Sequence, residues 1–239
     1  MTPEILALKI PALVQVGFGL VVVFMLFAYL VTFHKVPFYS AKFRFVLLVW
    51  LAATGVLGTR RFFTDFESMP PRLPLFVLLF SCALFVLGYV IYRSGWLSRL
   101  QQFHLVLFQS FRIPVEILLM MLANAQLLPH EMTFQGQNFD IAIGLTALPL
   151  AWALYKSRKN PGSVVSGTVL MLWNWCGILM LTNVVLHGML SAPYPFQVLK
   201  LEPATYVLGH FPVTWLPLFL VPTAYFFHII SLLKIRSDG

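Results

Sequence analysis

The stretch IPALVQVGFGLVVVFMLFAYLVTF, Ile10 to Phe33, carries no charge and outruns the roughly 18 apolar residues that mark a membrane-crossing helix. Working outward from it, six further apolar segments follow: Phe43 to Thr59, Leu73 to Tyr92, Phe103 to Leu128, Phe139 to Tyr155, Val164 to Leu190 and Phe211 to Leu233. The second and fifth are short for about 30 Å of hydrocarbon at about 1.5 Å per residue. They are expected to be thinned, extended by flanking polar residues, or partly re-entrant. Of 239 residues, 59% are hydrophobic and 10% charged, where soluble domains carry about a quarter charged. The expected fold is therefore an all-α, polytopic transmembrane helical bundle of about seven helices, one domain over residues 1–239, with the lipid bilayer as its surroundings.

The amino-terminal residues Met1, Thr2, Pro3 and Glu4 contain no basic cluster, and the apolar run behind them is too long for a secretory signal core. A retained first helix is expected. The net charge of +8 is dispersed in short clusters between apolar runs, without the polar basic segments interleaved with aromatics that nucleic-acid binding requires, so no nucleic-acid partner is expected. Ten basic residues, among them Lys35, Arg44, Arg93, Arg99, Lys156, Arg158, Lys234 and Arg236, fall in alternate connections and at the carboxyl terminus. The opposite side holds Lys9, Arg60, Arg61, Arg72 and Lys200, together with the acidic Glu4, Asp65, Glu67, Glu131, Asp140 and Glu202. Because basic loops are retained in the cytoplasm, the amino terminus is expected outside and the carboxyl terminus inside. Cys82 and Cys176 lie in apolar runs and read as small hydrophobes rather than a disulfide pair.

The chemistry centres on FRIPVE, Phe111 to Glu116, in the fourth segment, where each charge costs about 2.5–3.5 kcal/mol at the centre of a span. Arg112 and Glu116 are four apart and share a helix face, so they are expected to pair. Pro114 is expected to kink the helix and free a carbonyl. At 100° per residue Gln102, Gln109, Arg112, Glu116, Met120 and Asn124 fall in one sector, a polar stripe that cannot face lipid. It reads either as a structural network or as the lining of a cavity. In the sixth segment Trp173, Cys176, Met180, Asn183 and His187 form a second stripe, readable as an interhelical staple or as the outer rim of that cavity. Three outer connections rich in Phe and Pro are expected to cap the bundle, as lids or as interfacial anchors.

Metal chemistry has no local signature: no His-Glu-x-x-His, no His-x-x-x-His and no paired cysteines occur. Haem would rest on His104 and His228 alone. Gly-x-Ser-x-Gly and glycine-rich phosphate loops are absent. The last segment lacks a lysine before Lys234, which removes a retinal Schiff base. No cofactor is expected.

FRIPVE at 111–116, MTFQGQNFDI at 132–141, SAPYPFQ at 191–197 and Trp215-Leu216-Pro217 resemble a family of small uncharacterised bacterial multi-pass membrane proteins. The resemblance covers about the carboxyl-terminal two thirds and implies a bacterial inner-membrane location, with no activity attached. From the residues themselves, the leading expectation is binding or movement of a small or lipid-like ligand in an outward-opening polar cavity between the fourth, fifth and sixth segments. Gln109, Arg112, Glu116, Asn124, Asp140, Asn183 and His187 are its expected lining. Two other classes stay open: a membrane-embedded lipid hydrolase or transferase using Asp65, His130, Asp140, His187 or His210, and an assembly subunit docking a partner on its outer loops. Oligomeric state is not legible.

Overall fold

The computed structural model describes residues 8–37, 41–159 and 165–238. Glu4, and Val164 at the expected start of the sixth segment, lie outside the described residues. Every regular element described is helical. Seven long helices form: α1 (Ala12–Phe33), α2 (Ala41–Thr59), α3 (Arg72–Arg93), α4 (Gln102–Asn124), α5 (Asp140–Lys159), α6 (Gly167–Ser191) and α7 (Leu216–Ser237). Of these, α1, α3, α4, α6 and α7 are long and apolar enough to cross a membrane. The two outside that group, α2 and α5, are the two segments expected to be weak.

The bundle is built inside out relative to a soluble protein. Leu13, Leu20, Val23 and Phe27 of α1 and Phe85 and Val86 of α3 are exposed, while Arg112, Glu116, Asn174 and His228 are buried. An apolar exterior of this kind suits hydrocarbon rather than water.

Of the five helices long and apolar enough to cross a membrane, α7 is the most enclosed, with 67% of its apolar window buried against 22% for α6. It touches most of the bundle. Tyr29 of α1 packs on Phe226 and Phe227, and Phe80 of α3 on Phe219. Thr182 of α6 bonds Tyr225 at 2.8 Å. From α2, the Trp50 indole N–H donates to the Leu218 carbonyl at 3.2 Å. That acceptor is free because Pro222, four residues on, has no N–H to offer. The first turn of α7, Leu216–Leu220, is correspondingly wide, with the Val221 N–H reaching the Leu216 carbonyl.

In α4 the interruption precedes the proline. Gln102–Leu107 is α-helical, Phe108–Phe111 tightens to a 3-10 turn, and Arg112–Asn124 resumes the α-helix. The helix stops at Asn124 rather than Leu128. Gln126 takes φ 58°, its N–H reaching the Ala123 carbonyl, and the Leu127 N–H returns to the Leu122 carbonyl at 2.9 Å. This is a Schellman stop.

The chain then descends. Asp140, the first residue of α5, meets Arg112, which lies about 12 residues, or roughly 18 Å, from the carboxyl-terminal end of α4. The connection between these helices therefore runs back beside α4. Gly144 permits the approach: a Cβ there would stand 2.9 Å from the Ile113 side chain and 3.3 Å from Arg112 Cβ.

The connections at the end of the bundle where α2, α4 and α6 finish pack together as a cap. Phe66 of the first meets Tyr194 and Tyr206 of the third at 5.2 and 5.4 Å between ring centroids. Arg72 pairs with Asp65 at 2.8 Å and lies over the Phe62 ring.

Candidate functional site

At the centre of the bundle Arg112 is 1% exposed, and three neighbours take its N–H groups. Its Nε donates to Gln109 Oε1 at 3.1 Å, Nη1 pairs with Asp140 Oδ1, and Nη2 donates to His228 Nε2 at 3.0 Å. Gln109 is held in turn by its own donation to the Ala224 carbonyl at 3.1 Å. Since arginine has only donors, His228 Nε2 accepts, and its Nδ1–H donates to Asn174 Oδ1 at 2.8 Å. Asn174 Nδ2 donates to Ser231 Oγ at 2.8 Å, and Gln102 Nε2 reaches the same oxygen at 2.5 Å.

The expected Arg112–Glu116 pair does not form. Asp140 takes the guanidinium because the descending connection delivers its carboxylate to Arg112 from a second helix. Glu116, 2% exposed, instead accepts from Asn138 Nδ2 at 2.5 Å through Oε1. The Phe134 backbone N–H attracts the carboxyl weakly, yet Oε2 has no hydrogen-bond partner of good geometry. Asn138 is the hinge between the two acids: its Oδ1 accepts the Asp140 N–H at 2.9 Å, and its Nδ2 also reaches the Met132 carbonyl.

A continuous polar spine results: Glu116, Asn138, Asp140, Arg112, His228, Asn174, Ser231, Gln102. It ties α4, α5, α6 and α7 together. Broken at one member, such a network leaves buried donors or acceptors unpaired, each costing about 1–3 kcal/mol.

Of the expected lining, Gln109, Arg112, Glu116 and Asp140 come together. Asn124 does not: it is exposed at the end of α4. Asn183 and His187 are engaged elsewhere, on the connection between α4 and α5. Asn183 Nδ2 donates to the Gln137 carbonyl at 2.8 Å, and His187 Nε2 lies 2.7 Å from Gln137 Oε1. They clasp the descending segment to α6.

The packed face of α6 lies one residue away from the stripe read in the sequence. It runs through Leu170, Asn174, Gly177, Leu181 and Gly188, which are buried, whereas Cys176 is exposed. Its signature is small residues, which let helix backbones approach in an apolar medium. Gly177 lies against the His228 ring, in space a Cβ would need. Asn138, Asn174, His228 and Ser231 were the unrecognised members of the spine. The Gly177 and Gly188 spacing was the available clue.

Two cavities lie among the described residues, and neither is lined by Arg112 or Glu116. One, about 440 Å³, lies under the aromatic cap among Phe66, Val77, Val184, Gly188, Tyr194 and Leu208. The other, about 790 Å³, lies lower, among Leu84, Phe85, Tyr89, Tyr92, Tyr225 and Leu233. They share Ser81, so together they follow α3 along most of its length, against α7. The upper one is walled opposite by α6. Their lining contains no charged residue.

The residues proposed for catalysis are dispersed. Asp65 is paired with Arg72, His210 Nδ1 lies 3.0 Å from the Tyr206 carbonyl, and His130 is exposed. Among the described residues no group of three or more His, Cys, Asp or Glu side chains is placed to hold a metal ion.

No curated protein and no solved structure matches the chain. The family described as a domain of unknown function, DUF8737, matches residues 70–236, a stretch that holds every residue of the polar spine, and the chain belongs to that family.

Proposed function

We propose that this protein is a multi-pass protein of a bacterial inner membrane that binds an elongated, lipid-like molecule in the lateral groove along α3 and α7. The observation that carries the reading is the pair of apolar cavities that share the lining residue Ser81, follow α3 and α7 and are free of charged lining. An acyl chain entering from hydrocarbon would pass into such a groove without desolvating any charge. The polar spine then serves the groove indirectly. It locks α6 and α7 to α4 and α5, giving the ligand a rigid wall, while α3 is held on α7 by aromatic packing. With the basic connections on the cytoplasmic side, the upper cavity and its aromatic cap face outward.

The test is photolabelling of the full chain in nanodiscs with a long-chain lipid carrying a diazirine in its acyl chain. Adducts are expected on α3 and α7, and Ser81→Trp, which puts a bulky ring at the residue that lines both cavities, should remove them. Adducts spread over the outward faces of α1 and α2, with no enrichment at α3 and α7, would overturn the reading.

A further inference from the structure

The lower cavity ends beside two arginines without partners. Its wall on α3 runs from Ser81 to Tyr92, about 11 residues or roughly 16 Å of helix, the depth of one leaflet of a hydrocarbon core about 30 Å thick. The upper cavity takes the first turns of both α3 and α7 and the lower one their later turns, so the two helices run in the same direction, with Gly88 against Phe226 and Ile230. Tyr92 and Leu233 therefore mark the same end of the cavity.

At about 100° per residue, Arg93 falls in angle between the lining residues Cys82 and Val86, about one turn beyond Tyr89. Arg236 likewise falls between Tyr225 and Ile229, about one turn beyond Leu233. Both arginines are exposed, and among the described residues neither has a hydrogen bond or an ion pair. A helix C-terminus favours a cation anywhere on its circumference, so the dipole accounts for two basic residues but not for their common direction. Nearby Arg99, by contrast, is engaged by the Lys35 carbonyl at 3.3 Å. The described carboxylates lie mid-bundle or at the opposite end, so none of them neutralises the pair. Between the apolar groove and the two guanidiniums stand Tyr89 and Tyr92, both exposed and both lining the cavity. Exposed tyrosines on a spanning helix sit at headgroup level, which puts this mouth at the depth of a lipid phosphate.

We infer that Arg93 and Arg236 form the headgroup site of the groove and that the ligand is an anionic phospholipid, its phosphate held by the two guanidiniums and its acyl chain lying in the lower cavity. This inference rests on the groove reading above and deepens it by naming the ligand class. The planar donors of arginine match phosphate oxygens bidentately. On the orientation proposed above, the lipid comes from the cytoplasmic leaflet.

The probes are phosphatidylglycerol and phosphatidylcholine carrying the same diazirine acyl chain, each at the same low mole fraction in phosphatidylcholine nanodiscs holding the full chain. One arginine beside an anionic lipid is worth about fivefold in occupancy, so phosphatidylglycerol should label α3 and α7 about 25-fold more than phosphatidylcholine. Arg93→Gln and Arg236→Gln should each lower that ratio about fivefold, and together they should bring it close to one. Arg158→Gln removes the same charge from exposed α5, away from the groove, and should leave the ratio unchanged. Because Arg93 and Arg236 are exposed and unpaired, phosphatidylcholine adducts should keep the parent distribution in their variants, which reports an intact fold. Equal labelling by the two lipids in the parent, or a loss in Arg158→Gln as large as in Arg93→Gln, overturns the headgroup inference alone. Adducts of both lipids that miss α3 and α7, or that persist in Ser81→Trp, overturn the groove itself, and the inference with it.

Discussion

Substituting the two acids near Arg112 separates the observed pairing from the one that helix spacing suggests. Asp140→Asn removes the charge bonded to Nη1, whereas Glu116→Gln keeps an oxygen for Asn138 and touches no atom bonded to the guanidinium. Arg112 is 1% exposed, so loss of its anion leaves a buried cation without a counter-charge. Breaking a buried pair from one side costs about 3–5 kcal/mol. Removal of Arg112 strands Gln109 Oε1 and His228 Nε2 as well, so Arg112→Gln should cost at least as much. The discriminating quantity is the coupling energy in two double-mutant cycles. For Arg112 with Asp140 it should reach about 2–3 kcal/mol, and for Arg112 with Glu116 it should stay below about 1 kcal/mol. Reversible unfolding in mixed micelles against sodium dodecyl sulfate mole fraction measures each variant. A larger coupling for Glu116 than for Asp140 would refute the assignment of the ion pair and the descent of the α4–α5 connection on which it depends.

Gly177→Ala should destabilise by about 1–3 kcal/mol, since the new methyl meets the His228 ring, and most of that cost should vanish in a His228→Ala background. Additive losses in the same unfolding assay would show that α6 and α7 do not approach there. Trp50→Phe should cost about 1–3 kcal/mol by leaving the Leu218 carbonyl unpaired, while keeping most of the ring packing on Phe80. A neutral result would mean that the carbonyl is satisfied another way. Asn124→Ala should leave both stability and probe labelling unchanged, because the side chain is exposed at the end of α4. A loss of labelling would return Asn124 to the ligand's surroundings.

How much of this was legible beforehand differs by residue. The buried Arg112 and Glu116 could be found because a charge inside an apolar run has a single interpretation: it must be sheltered. The stripe through Gln109 followed from helical geometry. His228 and Asn174 were not singled out, since His228 and Ser231 make too short a polar run on α7 and the polar residues of α6 fall on more than one face. In α6, polarity pointed to Asn183 and His187, while the packed face was marked by Gly177 and Gly188. Absence of a side chain is a quieter signal than presence of a polar one.

Hydropathy and charge distribution by themselves determined an all-helical chain of seven segments, the weakness of the second and fifth, and the burial of two charges in the fourth. These are local properties, since a residue's preference for oil or water depends on its own chemistry. Tertiary structure alone decided that Asp140 rather than Glu116 answers Arg112, that Asn138 links the two acids, and that two apolar cavities lie along α3 and α7. Each of these depends on where one helix stops relative to another. Asp140 is 28 residues from Arg112 along the chain, and only the descent of the intervening connection brings the two charges together.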